Sequence, residues 1–179
     1  MSEGGIKSFG SATISGIKDA KSIFAAGKNA IKGGFNSNAE ALEYYRNLSN
    51  KLDVTTERNT ATFYSGKNSD GIWNRELAEE FAKTNGKTTL EQTAGGKYLD
   101  EKRLFPANNP NSPLTGDQAA EVWKNLSRRY AEQASGNAYG FVQGAREGSI
   151  FNTVEFPTLS QNPNITNIFT KLFEKGVAK

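Results

Sequence analysis

Residues 115–156 carry the pattern that most restricts the fold: a capped amphipathic helix followed at once by short runs of strand composition. Thr115 and Gln118, three apart in front of an apolar-periodic run, form a capping-box signature, and Gly136 supplies a left-handed stop. Trp123, Leu126, Ser127 and Tyr130 fall on one helical stripe, so Trp123 and Ser127 sit one turn apart and point the same way. At this spacing an aromatic is ordinarily part of a core stripe, here with a tolerated serine. Residues 138–142 are apolar and uninterrupted, as in a buried strand. Residues 144–148 form a loop, and residues 150–156 alternate like a second strand that Pro157 ends. In that alternation Phe151, Thr153 and Glu155 share a face, and a carboxylate inside an apolar strand costs free energy unless it is paired or used.

The fold class expected is α/β in two lobes: helices dominate the amino-terminal part, and a short, mainly parallel sheet with flanking helices forms the carboxy-terminal part. A site in such a protein belongs in the cleft at the carboxyl ends of the strands. A length of 179 residues suits one domain with a real core. Residues 1–34 are expected to be a mobile, basic segment, with a helical lobe over about 35–105 and an α/β lobe over about 106–179. No apolar run approaches a membrane span, and nothing at the amino terminus reads as a signal peptide, so a soluble chain is expected.

Two absences narrow the chemistry. Without cysteine there is no disulfide, thiolate nucleophile or Cys-type zinc site; without histidine the usual acid/base group and the commonest metal ligand are gone. Catalysis would fall to carboxylates, hydroxyls, Lys/Arg, aromatics and backbone. The net charge of +3 is accounted for by Lys7, Lys18, Lys21, Lys28 and Lys32 set against Glu3 and Asp19, which leaves the body neutral. Nucleic acid is therefore not an expected partner.

Along the chain, Ile17, Ala20, Phe24 and Ile31 recur at helical spacing among lysines. Such a helix can lie on a membrane surface or pack on its own domain. Asn38 is expected to cap a helix with Leu42, Tyr45, Leu48 and Leu52 on its buried stripe. Residues 60–64 have strand composition, and the polar, Gly-punctuated loop 65–71 could cradle a phosphate. A helix over residues 73–83 is expected to turn Ile72, Leu77 and Phe81 inward, with Trp73 as a further candidate. Residues 104–113, rich in Pro and Asn, join the lobes or form a hinge. A last helix is expected from Asn162, with Ile165, Ile168, Phe169, Leu172 and Phe173 on one stripe and Gly176 closing it.

Trp123, then Ser127-Arg128-Arg129-Tyr130-Ala131-Glu132, then Gly144-Ala145-Arg146, then Phe151-Asn152-Thr153-Val154-Glu155 is an ordered constellation over about a fifth of the chain. It resembles the signature of the ADP-ribosyl cyclases and NAD glycohydrolases, the group containing the lymphocyte surface NADase and the mollusc ovotestis cyclase. Thr89-Leu90-Glu91-Gln92-Thr93 resembles the place where that family has a second acid at the nicotinamide end of the site, and Asp100 lies near another of its acids. The family also has an aromatic-Ser-Arg triplet at a strand end. Tyr64-Ser65-Gly66 has the strand before it, whereas Trp73-Asn74-Arg75 has the tryptophan and arginine; Tyr64 and Ser65 are favoured, with Trp73 kept as a stacking ring.

The resemblance implies that Glu155 binds the ribose hydroxyls and steadies an oxocarbenium ion, and that Glu91 holds the nicotinamide carboxamide. It also implies that Trp123 stacks on the substrate, with Ser127, Phe151 and Asn152 near the phosphates. Arg146 and backbone amides would help to bind the diphosphate. Two carboxylates, aromatic faces and a hydroxyl suit cleavage of a glycosidic bond through a cationic state. Nicotinamide leaves NAD neutral, so no acid has to protonate it. NAD+ is thus expected as substrate, with no metal and no resident cofactor, giving ADP-ribose when water traps the intermediate and cyclic ADP-ribose when adenine does.

Animal members of the family are held by disulfides, and a version without cysteine fits a reducing cytosol. The expectation is a bacterial NAD-depleting toxin of contact-dependent competition, delivered as the end of a larger secreted or surface protein. It would act in the target cytosol and be neutralised by an immunity protein that plugs its cleft. Three other classes compete: a toxin nuclease, disfavoured by the missing histidine and neutral body; a protein-modifying ADP-ribosyltransferase, which lacks its usual acid because Thr153 stands two before Glu155; and a non-enzymatic interaction domain with Glu155 merely salt-bridged.

Overall fold

The computed structural model describes residues 32–171, so the basic helix expected before them, and Leu172, Phe173 and Gly176 after them, lie outside the described residues. In chain order the elements are α1 (Asn38–Ser49), β1 (Ala61–Tyr64), α2 (Asn74–Asn85), β2 (Thr88–Thr89), α3 (Ala94–Glu101), α4 (Gly116–Gln133), β3 (Gly136–Phe141), α5 (Phe156–Gln161) and β4 (Ile165–Phe169). A 3-10 turn covers Leu90–Gln92 and a π-helical turn Phe151–Glu155. The chain forms two compact units that interleave in sequence: 32–53 with 94–126, and 54–93 with 127–171. The expected division near residue 105 does not describe them, because two of the four strands come from the first half of the chain.

In the first unit the residue that caps α1 is Ser37, one before the expected Asn38. Ser37 Oγ accepts from Glu40 N–H at 3.1 Å, and Glu40 Oε2 accepts from Asn36 N–H at 2.9 Å, which closes the first turn reciprocally. Tyr45, Leu48 and Leu52 are buried as their spacing requires, with Ala41 taking the inward place given to Leu42. Gly95 N–H donates to Asp53 O at 2.7 Å, and a Cβ there would meet that oxygen at 2.6 Å, so this helix start approaches the chain more closely than any side chain allows.

The second unit is built on a parallel sheet in the order β2-β1-β3-β4, with Ala61 opposite Thr88, Thr62 opposite Tyr139 and Ala138 opposite Ile168. Parallel pairing needs crossovers: α2 joins β1 to β2, α4 leads into β3, and the π-helical turn with α5 joins β3 to β4. The Thr115–Gln118 capping box of α4 forms as expected. Tyr130 on α4 is 1% exposed; its hydroxyl accepts from Thr62 N–H at 2.9 Å and donates to Thr88 O at 2.6 Å, tying the helix to two strands at once. Asn162 Nδ2 donates to the carbonyls of Ala131, Glu132 and Ala134 at the far end of α4. Gly136 is left-handed (φ 74°) but opens β3; a Cβ on it would fall 2.1 Å from Asn59 Oδ1.

Three sequence expectations are corrected. Residues 150–156 are helical: Phe151, Glu155 and Leu159 are buried at a spacing of four, and that period prevails over the alternation of two. Residues 165–169 are a strand, because β-branched Ile165, Thr166 and Ile168 complete the hydrogen bonding of the β3 edge. On α2 the inward residues are Asn74, Ala78 and Ala82, small groups at a four-residue spacing, while Ile72 and Trp73 are exposed. Asn74 is 2% exposed and its Nδ2 donates to Ser65 O at 2.6 Å and Gln143 O at 2.9 Å, joining the loops that follow β1 and β3. Asn74→Ala strands both carbonyls and should lower stability by about 1–3 kcal/mol. Urea titration should show a lower midpoint; an unchanged one would contradict the clamp.

Candidate active site

Parallel strands bring their carboxyl ends to one edge of the sheet. At that edge β1 ends on Tyr64, β2 runs into the 3-10 turn bearing Glu91, and the loop after β3 leads to the π-helical turn bearing Glu155. The π-turn has a local cause. Phe156 N–H bonds to Phe151 O, a five-residue step, and Pro157 follows with no N–H and a ring that crowds the carbonyl four residues back. The widened turn keeps the chain helical through the proline while Phe151 and Glu155 both stay inward.

Glu155 is 8% exposed, on the same turn as the buried Phe151 and in electrostatic reach of Tyr64 and Tyr130. Burial, and secondly the negative charge of Glu91, push its carboxyl up to about 8. Tyr64 donates its hydroxyl to Glu91 Oε1 at 2.5 Å. Burial, the Glu91 charge and that hydrogen bond hold the phenol protonated far above its ordinary range, with Arg75 opposing and Glu155 adding. Tyr130 is likewise raised, by burial first; its bond from the Thr62 backbone works the other way, and the two glutamates add. Partial burial works against the charge on Arg75, but its hydrogen bond to Glu79 and the acids Glu91 and Glu79 outweigh it and hold the guanidinium charged. Two acids thus share one electrostatic neighbourhood with two protonated phenols and a guanidinium. A buried carboxyl pushed up to about 8 is poised to give up its proton when a cation arrives or develops beside it.

Loops 65–71 and 143–147 frame this edge and interlock. Gly144 (φ 76°) comes so close that a Cβ would lie 2.2 Å from Lys67 O, and Ser65 N–H donates to Phe141 O at 3.0 Å. Asn152 Nδ2 donates to Arg146 O at 2.8 Å and closes the second loop, while the Arg146 side chain is exposed. Trp73 is 53% exposed, with Lys67 Nζ 4.2 Å from its ring centroid.

The structure gathers Tyr64, Glu91 and Glu155 of the residues expected from sequence, and places Ser65 in the backbone network beside them. Ser127 is buried on α4 in the same unit. Trp123 is half-buried one helical turn earlier on α4 and belongs to the first unit. Phe151 offers no open face: at 2% exposure its ring packs on Phe63 and Phe156, with centroids 6.3 and 5.9 Å apart. Tyr130 and Arg75 are the contributors that sequence reasoning left out of the site. Tyr130 was hidden in a core stripe, and Arg75 in a triplet weighed only as a rival to Tyr64-Ser65. Among the described residues no cluster of His, Cys, Asp or Glu is placed to hold a metal ion.

No protein-family model matches the sequence, and no curated protein does. Solved structures match the fold. An ADP-ribosyl cyclase complexed with N1-cIDPR aligns over 71% of this chain and 54% of its own length, at 23% identity and a TM-score of 0.52. The Aplysia cyclase complexed with substrate NGD and product cGDPR aligns over the same shares at 24% identity and 0.50. The chain therefore spans about half the length of the solved structures it matches. With its four-stranded parallel sheet, flanking helices and acids at the strand ends, it has the ADP-ribosyl cyclase-like fold.

Proposed function

We propose that the protein is an NAD+ glycohydrolase that breaks the nicotinamide–ribose bond and releases nicotinamide and ADP-ribose. The observation that carries this reading is the buried Glu155, its carboxyl pushed up to about 8 by burial and by Glu91 at the carboxyl edge of the sheet. A carboxylate in an apolar wall is worth most against a positive charge that develops beside it. Cleavage of NAD+ moves positive charge from the pyridinium ring to the ribose, and Glu155 meets it there. The leaving nicotinamide is neutral, so the absence of histidine is no obstacle. Glu91 takes the carboxamide end, and Ser65, Ser127, Asn152 and Arg146 serve the diphosphate. Trp73 is the alternative to Tyr64 as a stacking ring. Water is the default acceptor of the ribosyl cation, with cyclisation onto adenine as the minor route. NAD+ is the substrate and no metal or further cofactor takes part.

The biological setting proposed is that of a bacterial toxin which drains NAD+ in the cytosol of a target cell and is blocked by a cognate immunity protein. It rests on the sequence without cysteine and on the resemblance described above. Expression in bacteria without a protecting partner should arrest growth and empty the NAD+ pool; normal growth with full NAD+ would contradict the toxin role.

Purified protein incubated with NAD+ and followed by chromatography should yield nicotinamide and ADP-ribose, and Glu155→Gln should lower the rate by about 100-fold or more. An inert wild type, or an active Glu155→Gln, would overturn the reading. The pH dependence has a definite sign. The free carboxyl titrates near 8 and its ionised form is the active one, so kcat/KM should climb about tenfold per pH unit up to about 8 and then level off. Bound pyridinium favours the ionised form, so the limb in kcat should lie at lower pH. A flat kcat/KM between pH 6 and 9 would show that Glu155 is not the group required.

A further inference from the structure

The aromatic that ends β1 is a tyrosine whose hydroxyl is engaged, donating to Glu91 Oε1 at 2.5 Å. The turn that carries Glu91 is fixed from both sides, by Thr89 N–H bonding to Gln92 Oε1 at 3.0 Å and by Thr93 Oγ1 donating to Leu90 O at 2.6 Å. The phenol therefore meets a carboxylate whose backbone is already set, and it fixes the direction in which one oxygen points. Burial and the neighbouring acids keep the phenol protonated, so it stays a donor throughout the working range. A carboxylate committed in this way presents only acceptors to a ligand.

We infer that the Tyr64 hydroxyl is a specificity-determining positioning group, which orients Glu91 so that the site selects dinucleotides whose leaving pyridine carries an exocyclic N–H donor. This deepens the NAD+-cleaving reading and rests on it. A carboxamide offers Glu91 an N–H. A methyl ketone of nearly the same size offers none, and leaves a desolvated acceptor facing a methyl group or a carbonyl oxygen. Sites built to pair with a substrate N–H reject the analogue that lacks it far more strongly than apolar pockets reject a change of size. A purely ring-shaped role for Tyr64 would leave the hydroxyl dispensable. Without the hydroxyl, that Glu91 oxygen loses the donor that directs it, and the carboxyl meets the two leaving groups on more equal terms.

The test compares kcat/KM for NAD+ and for 3-acetylpyridine adenine dinucleotide in wild type, Tyr64→Phe and Tyr64→Leu. Wild type should favour NAD+ by about tenfold or more beyond the ratio shown by the two variants. Both variants should lose that preference together although one keeps the ring and the other removes it. General loosening of the site would slow both substrates and leave the ratio in place. NAD+ cleavage by wild type without a preference, or a preference kept by Tyr64→Phe, overturns the inference and leaves the glycohydrolase reading standing. A wild type that cleaves neither substrate sinks the glycohydrolase reading and this inference with it.

Discussion

The site depends on keeping a carboxyl group where water barely reaches it. Glu155 is 8% exposed and Glu91 bears on it, so the folded protein retains a proton up to about pH 8 that the unfolded chain gives up near 4.5. The corresponding stability is fully present below the lower value and is lost as pH rises through the upper one. At neutral pH the fold therefore carries a penalty on the order of a few kcal/mol at this residue. Other parts of the second unit offset it: Tyr130 joining two strands, Asn162 closing α4, and Asn74 holding two loops.

The same carboxyl explains why the segment around it is unusual. A regular helix would end or kink at Pro157, and a strand would point Glu155 by alternation alone. The π-turn absorbs the proline and holds Phe151, Glu155 and Leu159 on one inward line. Phe151 then contributes dryness rather than a stacking surface. It helps to make the apolar wall against which the charge is expensive, and for that reason chemically useful.

Much of this was legible in the chain. The capping box at Thr115, the strand composition around residues 61–64 and 138–141, and an acid out of place at position 155 all reflect local chemistry that tertiary contacts left undisturbed. The errors arose where two periods fit the same residues. Positions 151, 155 and 159 satisfy a helix, whereas 151, 153 and 155 satisfy a strand; burial chose the former. Positions 165, 168 and 169 fit a helical stripe, yet β3 needed a neighbour along its edge. The Tyr64–Glu91 hydrogen bond spans 27 positions and has no local signature; it becomes visible only once β1 and β2 lie side by side. The interleaving of the two units is hidden for the same reason, since it is a matter of pairing and not of composition.

The sheet order has one more consequence. β1 pairs with β3 across a gap that includes all of α2, α3 and α4; Glu91 lies within that gap and Glu155 beyond it. A chain emerging from a ribosome, or threading through a narrow passage from either end, exposes one acid long before the other and cannot yet close its central strand pair. The site at the carboxyl edge of the sheet is the last feature such a thread acquires, assembled only when its two distant stretches meet.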